Sequence, residues 1–219
     1  GTIEKARPNV SGRARRFHRQ GSRGAPVTTL TRFFGYGFRP FFLFAGLYAA
    51  LLIPLWLLAL AGTQWSAAIA TGIRWHAHEL YFGFVGAAIA GFLLTAVANW
   101  TGRPPVRGGP LVLLVLAWLI GRGVWSVAGS VPPWLLTVAD LAFPVLLLVL
   151  IAREVLAGRN HRNLVVVGAA TLFFAGSLLM DLDVLGVGGD LQTRGLHLAA
   201  DAITLVIVII GGRIVPAFT

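Results

Sequence analysis

Trp75-His76-Ala77-His78-Glu79-Leu80 sets two imidazoles and a carboxylate at the mouth of an apolar run long enough to enter a bilayer. Imidazole serves copper, iron and zinc alike, and ionisable groups in or beside a membrane helix mark functional sites. The spacing limits what His76 and His78 can do. In a helix, side chains two apart point roughly 200° from each other, so one ion could not take both. In an extended lead-in they share a face and could chelate one copper or zinc, with Glu79 beside them. Either way a further ligand must come from another segment. His197 is the best candidate, with Asp201 one helical turn further on the same face. Asp201 or Glu79 could hold an imidazole by accepting a hydrogen bond from its far nitrogen. Two histidines from separate helices would also hold a b-type haem. The plainer alternative is a set of interfacial histidines bonded to backbone or water.

A second polar feature lies deeper. Arg122 and Asp140 each stand nine residues from Val131, the tip of a short joint between two apolar runs. They should meet at similar depth in an antiparallel hairpin. A lone charge there costs several kcal/mol, so an ion pair is the expected outcome, ahead of a role in a proton relay or substrate path. Asp181 and Asp183 close another apolar run, and Asp190 follows in a loop. Near the end, Gly211-Gly212-Arg213 allows close packing or a break, with Arg213 able to snorkel to the surface.

The elements that must position these groups are membrane helices. The chain has 219 residues, 57% hydrophobic and only 12% charged, with mean hydropathy +0.79. Such a composition predicts an all-α, polytopic membrane protein, since the apolar residues come in blocks about as long as a bilayer core is thick. Six spans are predicted, over about residues 40–61, 78–100, 110–129, 132–156, 163–185 and 196–215. Residues 1–32 form a basic arm rich in Arg, Pro, Ser and Gly, expected to be a solvated tail, and residues 33–219 the membrane domain. Phe33, Phe34, Tyr36 and Phe38 read as an interfacial belt, and Pro54 as a kink in the first span. Gly83, Gly86, Ala87, Ala90 and Gly91 form a small-residue stripe for close helix contact. Cysteine is absent, which excludes disulfides, zinc–thiolate sites, Cys-ligated iron–sulfur clusters and thioether-linked haem.

A net charge of +10 would suit nucleic acid, but its distribution argues otherwise. Half of the basic residues lie before residue 40, and the later ones cluster in alternate loops. With both termini cytoplasmic, fourteen basic residues face the cytoplasm, against Arg74 and Arg194 on the opposite side. The partner is therefore the lipid bilayer, not nucleic acid. His76, His78, Glu79, Asp181, Asp183, Asp190, His197 and Asp201 then all gather toward the non-cytoplasmic face. His18 and His161 do not.

Several stretches resemble the NnrS family. They are Phe38-Arg39-Pro40-Phe41-Phe42, Trp75-His76-Ala77-His78-Glu79, Gly91-Phe92-Leu93-Leu94-Thr95-Ala96-Val97, Asn99-Trp100-Thr101-Gly102-Arg103-Pro104-Pro105 and Gly211-Gly212-Arg213-Ile214-Val215-Pro216-Ala217-Phe218-Thr219. The match runs from about residue 33 to the end, with the motifs in order. The resemblance implies a multi-pass protein of the bacterial inner membrane that contains haem and copper. It implies a part in denitrification and in protection against nitric oxide and nitrosative stress, with nitric oxide as a ligand. His76 and His78 become the leading ligands by that resemblance, and His197 gains less. It also implies a chain about twice as long, so this sequence is read as an N-terminal half whose redox centre is completed by a second half or another membrane subunit. Two other readings stay open: half of a transporter or channel with Arg122 and Asp140 in the path, or a cofactor-free scaffold packing through its Gly/Ala stripes.

Overall fold

The structure, a computed structural model, describes residues 1, 29–62, 72–159 and 161–218. Nearly all of the basic arm, His18 included, lies outside the described residues, as does the side chain of Arg213. Among the described residues all regular structure is helical. A short α1 (Thr29–Phe33) leads to α2 (Phe38–Leu60), α3 (Gly72–Thr101), α4 (Gly109–Trp125), α5 (Pro133–Ala157), α6 (Leu164–Val184) and α7 (Leu191–Phe218). Single 3-10 turns at Ala128–Ser130 and His161–Asn163 sit in the joints before α5 and α6.

Five segments are long and apolar enough to cross a membrane: Phe38–Leu60, Gly72–Thr101, Pro133–Ala157, His161–Val184 and Leu191–Gly212. The remaining apolar helix, α4, has 17 residues. At 1.5 Å per residue it spans about 25 Å, slightly short of a bilayer core of about 30 Å. It starts after Gly108, whose φ of +63° only glycine adopts readily, with Pro110 in its first turn. It ends where Ser126 turns its hydroxyl back onto the Arg122 carbonyl at 2.8 Å.

The second apolar run differs most from its sequence reading. Its helix begins at Gly72, not at His78, so His78 lies six residues inside it, about 9 Å along the axis. It is also not uniformly α-helical. Residues Glu79–Val85 form a π-helical stretch between the α-helical Gly72–His78 and Gly86–Thr101. Such widened turns are rare and concentrate at functional sites. Gly83 sits at its centre. A Cβ there would lie 2.7 Å from the Tyr48 ring, 3.0 Å from Glu79 Oε2 and 3.3 Å from Arg122 Cδ. The Gly83 carbonyl accepts a hydrogen bond from Trp118 Nε1 at 3.0 Å, which ties the π turn to α4. The end of α3 is conventional, with Gly102 in the left-handed conformation.

Packing follows the small residues. Gly176 of α6 and Gly195 of α7 approach so closely that a Cβ on Gly176 would lie 2.6 Å from the Gly195 carbonyl oxygen. Between lipid tails and helices there is little hydrophobic gain, so contact of this kind holds membrane helices together. The centre is filled by Phe82, Phe143, Phe173 and Phe174, with neighbouring ring centroids 5.0 to 6.0 Å apart. By contrast α2 and α7 leave most of their apolar surface exposed, as helices facing lipid do.

Candidate functional site

Four helices bring six polar side chains together against this aromatic core. His78 and Glu79 come from α3, Arg122 from α4, Asp140 from α5, and Ser177 and Asp181 from α6. All are buried: His78, Glu79, Ser177 and Asp181 have no exposed surface, and Asp140 and Arg122 nearly none. Counting along the axes, Asp140 lies about 10 Å into α5 and Asp181 about 5 Å from the end of α6. The group is therefore set one to two turns inside the helix ends.

Its wiring is reciprocal. Arg122 donates from Nη1 to Glu79 Oε1 and from Nη2 to Asp140 Oδ1, so one guanidinium joins α3 to α5. The two parallel donors of that planar fork suit it to bridging carboxylates. Tyr48 of α2 donates its hydroxyl proton to Glu79 Oε2. His78 Nδ1 lies 3.0 Å from Glu79 Oε1, and Nε2 lies 3.2 Å from Asp140 Oδ2. Ser177 donates to Asp140 Oδ2 at 2.8 Å. The imidazole is held flat against the Trp125 ring, centroids 3.8 Å apart and planes at 18°, with Phe82 on another side at 5.1 Å. Asp181 is the exception. Neither of its oxygens has a hydrogen-bond partner among the described residues. One ligand atom each from His78, Asp140 and Asp181 lie within 4.8 Å of one another.

The other residues singled out in the sequence fall elsewhere. His76 and His78 take different faces of α3, since the backbone between them is helical. The His76 ring stacks on Trp56 of α2 at 4.4 Å, and its Nδ1 is buried without a partner among the described residues. His197 and Asp201 lie on the exposed face of α7, and Gly195 and Ala199 on the face turned to α6. Arg74 pairs with Asp183 at 2.7 Å nearer the surface, and Arg103 with Glu154 at 2.6 Å at the other end of the bundle.

By sequence the His76–Glu79 stretch and the Arg122–Asp140 pair are two features at two depths. In the structure His78 and Glu79 join Arg122 and Asp140 in one cluster, because α3 starts early and carries His78 inward. Tyr48, Trp125 and Ser177 were not singled out at all, and Asp181 only as a polar helix end. A carboxylate inside the apolar run Phe173–Val184, one turn beyond a serine, is the signal that could have found the last two.

Fold and site together define a helical membrane protein with an imidazole, three carboxylates and a guanidinium buried between its helices. The chain matches the family described as NnrS protein over residues 32–219, and it belongs to that family. No curated protein and no solved structure matches it. Family membership suggests a membrane protein of the nitric-oxide response.

Proposed function

We propose that this chain is a multi-pass protein of the bacterial cytoplasmic membrane that protects against nitric oxide and nitrosative stress. On this reading α4 is a sixth span alongside the five longer helices, and both termini face the cytoplasm. The excess of basic residues in alternate loops supports that orientation. The observation that carries the functional reading is the family match across residues 32–219, joined to a fully buried ionisable cluster that a purely structural bundle has no need to maintain.

Haem and copper belong to this proposal through the family resemblance, and the residues test them differently. Haem does not fit the buried cluster. A carboxylate stands at each nitrogen of His78, Trp125 covers the ring face, and the space among Phe82, Phe143 and Phe174 does not admit even a water-sized sphere, so a porphyrin has no room. Cofactor pockets run to roughly 300–1,000 Å³. Reduced copper also matches poorly, since it favours sulfur and nitrogen donors over carboxylates. His76 fits a metal-bound group better, because its Nδ1 is buried without a partner among the described residues. His197, exposed on α7, is another imidazole outside the cluster.

A nitric-oxide pulse given to growing cells tests the function. A strain lacking the protein should show a longer growth arrest, reversed by the wild-type chain and not by Asp140→Ala. Equal tolerance in the presence and absence of the protein would overturn the reading. The visible spectrum of the purified protein tests the haem, with a Soret band expected to shift on nitric oxide and to weaken in His76→Ala.

A further inference from the structure

Asp181 poses the sharpest physical problem in the molecule. It is fully buried, and neither carboxylate oxygen is bonded to any described residue. A buried polar group without a partner costs several kcal/mol, and a buried charge more. Asp181 also worsens the charge balance. Glu79, Asp140 and Asp181 face a single guanidinium, Arg122, so with a neutral imidazole the cluster carries two uncompensated negative charges. Something of charge +2 is required at that spot, or two protons must take its place.

We propose that His78, Asp140 and Asp181 form a binding site for a divalent first-row cation of the manganese, iron or zinc class. Three features of the wiring point to a cation and not to protons alone. The first is spacing. Metal–donor bonds of about 2.0–2.2 Å place neighbouring donors about 3–4 Å apart. His78 Nε2 and Asp140 Oδ2 already stand 3.2 Å apart, and one ligand atom each from His78, Asp140 and Asp181 lie within 4.8 Å of one another. The second is the tautomer. His78 Nδ1 lies 3.0 Å from Glu79 Oε1, and Glu79 is itself fixed by Arg122 and Tyr48. With an ion bound, a proton on Nδ1 shared with that carboxylate would leave the Nε2 lone pair for the metal, as a carboxylate does behind a metal-bound histidine. The third is the fate of Asp140. Ser177 and Arg122 hold its two oxygens in place, leaving lone-pair capacity on Oδ2 for an ion. One imidazole and two carboxylates make an oxygen-rich donor set, which suits manganese, ferrous iron or zinc. The site goes beyond the nitric-oxide reading and stands without it.

Cobalt(II) alone, added to the chelator-treated full chain in detergent, is the probe, read by its visible ligand-field bands. Wild-type protein should bind one equivalent. Asp181→Asn should weaken binding by at least tenfold, and Glu79→Gln by roughly 10–100-fold through loss of the imidazole's anchor. His76→Ala and His197→Ala should bind like wild type. Thermal unfolding separates ligation from folding. Metal-free Asp181→Asn should melt no lower than metal-free wild type, because it removes a buried charge with no partner among the described residues, and cobalt should raise the Tm of Asp181→Asn less than that of the wild type. Absence of cobalt binding, unchanged binding by Asp181→Asn, or a metal-free Asp181→Asn that melts well below wild type would each overturn the proposal.

Discussion

Two histidine–aspartate sets sit in this bundle, and they have opposite surroundings. His197 and Asp201 are one turn apart on one helix, and both face outward from α7. His78 and Asp140 lie 62 positions apart on α3 and α5, and both are sealed from solvent and lipid. Sequence proximity puts two groups on one face of one helix, where nothing obliges them to meet a third. Convergence from several helices produces shared hydrogen bonds, low dielectric and mutual dependence. Spacing along the chain finds candidate ligands, whereas burial by neighbouring helices decides which of them act as a unit.

Substitutions should separate the two sets cleanly. The largest effect is expected from Arg122→Met, which strands Glu79 and Asp140 as buried charges without their bridging guanidinium. Loss of one partner from a buried ion pair costs about 3–5 kcal/mol, readable by equilibrium unfolding in mixed micelles. A cost below about 1 kcal/mol would place the cluster in a wetter setting than described. Ser177→Ala should cost less, about 0.6–1.7 kcal/mol, the range measured for hydrogen bonds between membrane helices. The smallest effect should come from His197→Ala, which alters an exposed side chain and should stay within about 0.5 kcal/mol of wild type. A large loss there would mean that the outer face of α7 is held by contacts of its own.

Parts of this arrangement are legible in the sequence and parts are not. Equal counts from Val131 place Arg122 and Asp140 at one depth, because a helical hairpin fixes depth by residue number alone. The all-helical character follows from apolar blocks of bilayer length. Where α3 begins does not follow, since the residues before His78 are less apolar than the span and hydropathy alone starts the helix too late. The π turn around Gly83 is equally invisible, because it answers to contacts with Tyr48, Arg122 and Trp118 on other helices. Those two features together move His78 from the rim into the cluster. Asp181 is visible as a carboxylate, but its lack of a partner among the described residues is a property of the packed state.

Residues from separate helices form one interlocked buried unit around Arg122 and His78. A double-mutant cycle on Glu79→Gln and Asp140→Asn, scored by unfolding free energy, tests it most directly. These two carboxylates share Arg122 and His78 without being bonded to each other. A coupling of at least about 1 kcal/mol is expected, within the range seen for residues in one network, and additivity within about 0.5 kcal/mol would rule such a unit out.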